Sequence, residues 1–120
     1  MSVINIADRG GHTITLTSID GYHISSFRPP EILREIFNNI PHLKCRHDDV
    51  FICSPVKSGT HWTWEIVSML LNGKAEIIPI SKERQMLEAM PTEIIDEIPS
   101  PRVLNSHLHL CRLPKEALER

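Results

Sequence analysis

Between Phe51 and Leu71 the chain reads FICSPVKSGTHWTWEIVSMLL: a short apolar run, a polar loop carrying Lys57, Ser58, Gly59 and Thr60, then an apolar helical stretch. That order confines the region to a strand, a tight loop and a helix. A loop of this make-up suits an anion such as phosphate. Backbone N–H groups at the start of a helix converge on the anion, and the helix dipole favours its charge. Gly59 permits close backbone approach, Lys57 adds a point charge, and the Ser58 and Thr60 hydroxyls add donors. A Walker A loop places Gly before Lys, whereas the order here is Lys57-Ser58-Gly59-Thr60. The plainer reading is a βα turn with Thr60 as helix cap.

The rest of the chain supplies partners for that unit. Thr13 to Thr17 alternates as a short strand does, with Gly10-Gly11 as a turn before it, although residues 1–20 are otherwise weakly patterned. Asp20-Gly21 marks a second turn. Arg28-Pro29-Pro30 opens a helix whose Ile32, Leu33, Ile36, Phe37 and Ile40 share one face, and Pro41 stops it. Asp48-Asp49 precedes a strand from about Val50 to Ser54. The helix after the loop runs from Thr60 to Leu71, with Trp62, Ile66, Val67, Met69 and Leu70 as its apolar side and Asn72-Gly73 as its end. Ser81 to Met90 reads as a helix capped by Ser81, and Thr92 to Ile98 as a further helical turn. Arg102 to Ser106 reads as a second strand, and Pro114 starts a last helix. Strand, helix, helix, strand argues α/β with a parallel pair joined by a crossover.

Composition fits one ordinary domain: 120 residues, 41% hydrophobic and 23% charged. A net charge of −2 with His neutral gives no general attraction to nucleic acid or acidic membranes, so anion binding has to be local. No apolar stretch approaches the ~20 residues of a membrane span. The start, MSVINIADRGGHTITL, lacks the basic and apolar blocks of a secretory signal. Cys45, Cys53 and Cys111 are odd in number and without CxxC, which suggests reduced thiols and a cytoplasmic protein.

The topology has a chemical consequence. If strands 50–54 and 102–106 are neighbours, about 4.8 Å apart, both carboxyl ends open on one edge, where ligands bind in such sheets. Lys57 and His107 then reach one crevice. The imidazole takes a proton from an attacking hydroxyl, and the lysine stabilises charge on a leaving oxygen. Taken alone, a histidine such as His107 is more often structural or at the surface than a base; its place at the end of a strand facing the loop is what favours the base. Trp62 either stacks on an aromatic ring or packs in the core, while Trp64 is assigned to packing. His107, His109 and Cys111 alternate, and Cys45 and His47 have ligand chemistry, yet no zinc spacing is present and no metal is expected. His12, His23 and His42 have no pattern and are expected to face solvent.

These residues resemble the cytosolic sulfotransferases, which move a sulfuryl group from the nucleotide PAPS to a hydroxyl or amine. That family carries a YPKSGTTW loop after its first core strand, and Ser54 to Trp62 reads SPVKSGTHW. A family segment like KTHLPxxLLP is matched by NSHLHLCRLP at Asn105 to Pro114. Asp48-Asp49, Glu65-Ile66 and Ser100 to Arg102 also fit, and the similarity runs from about Asp20 to Arg120. Residues 1–19 then form an N-terminal extension and 20–120 the N-terminal part of a sulfotransferase domain.

By matched position, the resemblance implies that Lys57 contacts the transfer centre, while Ser58, Gly59 and Thr60 bind the phosphosulfate side of the donor. Trp62 lies against the adenine, His107 is the general base, and Phe27 lines the acceptor pocket. His61 stands where the family has a second Thr, exchanging a hydroxyl donor for a cationic one. Pro55-Val56 replaces Tyr-Pro, Asn105 replaces a Lys, and His109 replaces a Pro. The implied fold is a P-loop-like parallel sheet with flanking helices, incomplete. In the family an Arg and a Ser farther along hold the donor's 3′-phosphate, and a late RKGxxGDWKNxFT segment closes over the nucleotide; neither is in this sequence.

The expectation is therefore transfer from PAPS to a small phenol, alcohol or amine in a full-length context, with little or no turnover by this chain alone. The alternative is a truncated, non-catalytic remnant that binds a nucleotide or a partner. A small-molecule P-loop kinase needs a Gly-Lys that is missing. A homodimer is expected only in a full-length form.

Overall fold

A computed structural model describes residues 2–26, 28–77 and 79–119. The chain begins with an antiparallel meander of β1 (Ser2–Ala7), β2 (Thr13–Ile19) and β3 (Tyr22–Ser25), ordered β1-β2-β3. Both turns are written in the sequence. Asp8 Oδ1 accepts from the amides of Gly10 (2.8 Å) and His12 (2.9 Å), which folds the first turn. Asp20 and Gly21 have φ of 51° and 87°, the left-handed pair that a two-residue hairpin requires, and Ile19 faces Tyr22 across it. The strand at 2–7 was not expected from residues 1–20. None of its side chains is buried, and the strand is held through its pairing with β2.

Helix α1 (Pro30–Asn39) starts on prolines and buries Leu33, Ile36 and Phe37 of the expected face, whereas Ile32, expected there too, is exposed at its edge. A 3-10 turn at Ile40–His42 carries Pro41 and ends it. Strand β4 (Val50–Cys53) then pairs in parallel with β5 (Val103–Ser106), in register Val50↔Val103 through Cys53↔Ser106. Helix α2 (Thr60–Asn72) follows β4 and closes on Gly73 at φ 69°, whose amide and that of Lys74 bond to Leu70 and Met69 carbonyls. Short helices α3 (Thr92–Asp96) and α4 (Lys115–Leu118) and a 3-10 turn at Leu110–Arg112 complete the chain.

Two expectations need correction. The segment Ser81 to Met90 is not a helix capped by Ser81. Only Lys82–Gln85 forms a 3-10 turn, Ser81 makes no capping bond, and Met86 bridges Asn105 in parallel while Leu87 N donates to its carbonyl. Pairing of Met86 and Leu87 with Asn105 of β5 overrides local helix propensity. The apolar side of α2 was also misassigned. Thr60, Trp64 and Ser68, four residues apart, are buried, whereas Trp62 is 76% exposed and Ile66 and Leu70 face outward. Apolar residues surround most of this helix, so composition alone does not select the face. Trp64 packs as expected, its indole N–H donating to Val103 O at 3.1 Å and Gln85 Oε1 at 3.2 Å.

One core joins the pieces: Ile19 from the meander, Leu33 and Phe37 from α1, Leu87, Leu104 from β5 and Leu113. Polar links tie it down. Arg102 and Asp49 form a buried two-point ion pair, at 2.8 Å and 2.5 Å, just ahead of β5 and β4. Burial alone would raise the Asp49 carboxyl. Hydrogen bonds from Arg102 and the Arg46 amide outweigh that and hold it below the usual carboxylate range. Asp20, in the β2–β3 turn, accepts from Arg34 of α1 at 3.0 Å and from Arg112 at 3.2 Å.

Candidate functional site

Parallel pairing puts the carboxyl ends of β4 and β5 on one edge, and Ser54 N donates to Ser106 O at 3.2 Å to extend the ladder. The loop 54–59 and His107 leave that edge side by side. His107 Nδ1 lies 2.8 Å from Ser54 O. A carbonyl only accepts, so Nδ1 carries the proton and the neutral ring keeps its basic lone pair on Nε2.

The loop itself is drawn tight. Ser58 Oγ donates to Pro55 O at 2.6 Å, and Ser54 and Thr60 share a hydrogen bond between their hydroxyls. Lys57 adopts φ 61°, left-handed for a non-glycine residue, and Gly59 follows at φ 94° as the residue before α2. Gly59 has no side chain to cap the first-turn N–H groups, and nothing lies within 4 Å of where its Cβ would be. His61 points to Glu65 at 3.6 Å.

Beneath His107 sits Glu88, which sequence reasoning missed. It is 1% exposed, and its Oε2 accepts from the His107 amide at 2.8 Å and from Ser106 Oγ at 3.3 Å. Ser106 Oγ accepts in turn from Leu108 N at 3.0 Å. Glu88 Oε1 is buried with no hydrogen-bond partner among the described residues. Burial pushes the Glu88 carboxyl up, partly offset by the bonds it receives. The available signal was an acidic residue set between apolar neighbours in MLEAM.

A cavity of about 400 Å³ opens beside His107, walled by Ile14, Leu16 and Ile24 of the meander and by Val56, Met86 and Leu108. Its size is that of a small-ligand site. Lys57 lies outside its lining, although its neighbour Val56 belongs to it. Asn105 is buried and turns away, its Nδ2 donating to Lys82 O at 3.0 Å. Phe27 lies outside the described residues. His12, His23 and His42 are exposed. No helix among the described residues is long and apolar enough to cross a membrane.

A mixed α/β fold with a parallel pair of strands is consistent with part of a sulfotransferase domain. The sulfotransferase domain family matches residues 47–120. The chain is 37% identical over 94 residues to sulfotransferase 1B1 of Canis lupus familiaris, covering 69% of this chain and 32% of that protein. It is 33% identical over 88 residues to sulfotransferase 6B1 of Homo sapiens (71% and 29%). Against sulfotransferase 1A1 of Rattus norvegicus it is 37% identical over 82 residues (60% and 28%). The chain belongs to the sulfotransferase family, and it spans about a third of the length of these curated relatives.

Proposed function

We propose that this chain carries the donor-loop and base-bearing part of a PAPS-dependent sulfotransferase acting on a hydroxyl or amine of a small molecule in a full-length context. The observation that carries this reading is the His107 Nδ1 bond to Ser54 O, which ties a base to the first residue after β4. PAPS supplies the activated sulfuryl group. Lys57, Ser58, Gly59 and Thr60 form a P-loop-like cradle for its phosphosulfate side, with uncapped α2 amides and the helix dipole favouring the anion. His61 adds a donor at the same helix start, and Trp62 offers an exposed indole face to the adenine. His107 Nε2 takes the acceptor's proton, and Lys57 stabilises charge on the oxygen that leaves.

A chain that binds a nucleotide or a partner without turnover is the second reading, favoured by Lys57 lying outside the lining of the cavity beside His107. Two measurements test these. Calorimetry with PAP should show binding that Lys57→Ala abolishes; unchanged affinity removes the loop as a site. Incubation with labelled PAPS and a panel of phenols separates an active chain from a binding-only one.

A further inference from the structure

Lys82 opens the 3-10 turn before Met86 and is 8% exposed, yet its side chain lines the cavity beside His107. Among the described residues its ammonium makes no hydrogen bond and no ion pair; only its carbonyl is engaged, by Asn105. The stem is what is buried: the ammonium is not among the buried unpartnered atoms, so it keeps contact with water at the cavity and is free to exchange that water for an anion. The cavity's carboxylates do not serve: Glu88 directs Oε2 to the His107 amide and Ser106, and Glu83 is exposed and forms no ion pair with Lys82. Apolar walls around the cavity strengthen the field of an unpaired ammonium on anything that enters.

We propose that the cavity beside His107 takes an acceptor bearing both a hydroxyl and an anionic group, the anion being held by Lys82. A hydroxyaryl carboxylate has this chemistry, and about 400 Å³ accommodates one or two rings. The assignment of the occupant as an acceptor rests on the sulfotransferase reading; the anion preference does not need a donor.

The test titrates the ¹⁵N-labelled chain with 4-hydroxyphenylacetate, its neutral isostere 4-hydroxyphenylacetamide, and cationic tyramine. The acid should bind about tenfold more tightly than the amide, as expected for a charge-assisted contact. Shifts should centre on the Val56, Met86 and Leu108 amides. Lys82→Met, similar in length, should erase the preference, and Lys82→Arg should keep it. Equal binding of acid and amide, a preference for tyramine, no binding of any of the three at millimolar concentration, or a preference that survives in Lys82→Met overturns the proposal. A chain that prefers the acid but binds no PAP unseats the transferase reading and leaves the anion subsite in place.

Discussion

His107 Nδ1 donates to the carbonyl of Ser54 at 2.8 Å, across 53 positions of sequence. The bond fixes which ring nitrogen is basic. Long-range ¹⁵N spectra of the neutral ring should show Nδ1 protonated and Nε2 bare. A dominant Nε2–H tautomer would remove His107 Nε2 as the proton acceptor.

Glu88 gives a second test, because Oε2 serves as an acceptor whether or not the group is charged. Glu88→Gln retains an acceptor for the His107 amide and Ser106, whereas Glu88→Ala leaves that amide unsatisfied, at about 1–3 kcal/mol. The folded group holds its proton more tightly than the unfolded one does. As pH rises past the unfolded ~4.3, the native state retains the proton longer, so stability falls until the folded group ionises. Urea unfolding across that range should show this decline in the native chain and a flatter profile in Glu88→Gln. Identical profiles would exclude a buried, proton-retaining carboxyl.

Asp49 works in the opposite direction and at lower pH. Its folded carboxyl titrates below the unfolded ~3.9, so its contribution is fully present above that value and is lost as pH falls through the folded one. Asp49→Ala leaves the Arg102 guanidinium buried without its partner and should cost about 3–5 kcal/mol by denaturant melts at neutral pH. A loss below 1 kcal/mol would mean water reaches Arg102.

The two tryptophans of α2 separate packing from binding. Trp64→Ala should destabilise by about 3–5 kcal/mol, since its ring is fully buried and its indole N–H is bonded. Trp62→Ala should change stability by less than about 0.5 kcal/mol while weakening PAP affinity. Unchanged PAP affinity in Trp62→Ala would take this indole out of the donor site.

Much of this arrangement is legible in the sequence. Turn chemistry at Asp20-Gly21, the proline start of α1 and the glycine stop of α2 are local signals, and local signals survive folding. The Asp48-Asp49 and Ser100 to Arg102 matches were also visible, but not that Asp49 and Arg102 meet; their pairing exists only once β4 and β5 align. The same alignment explains the errors. Which face of α2 is buried and why residues 86–87 extend depend on where β5 lies, and no window of neighbouring residues encodes that. Glu88 was overlooked for a like reason: its partners are 18 and 19 positions away.

Asp20 receives Arg34 and Arg112 together, so the tip of the β2–β3 hairpin is moored both to α1 and to the turn that follows His107 by a few residues. The hairpin is also a wall of the cavity. Loosening that mooring, by high salt or by Asp20→Asn, therefore weakens the tie between this wall and the turn at Leu110–Arg112. The shape of that cavity is thus coupled to ion pairs at the exposed tip of a hairpin.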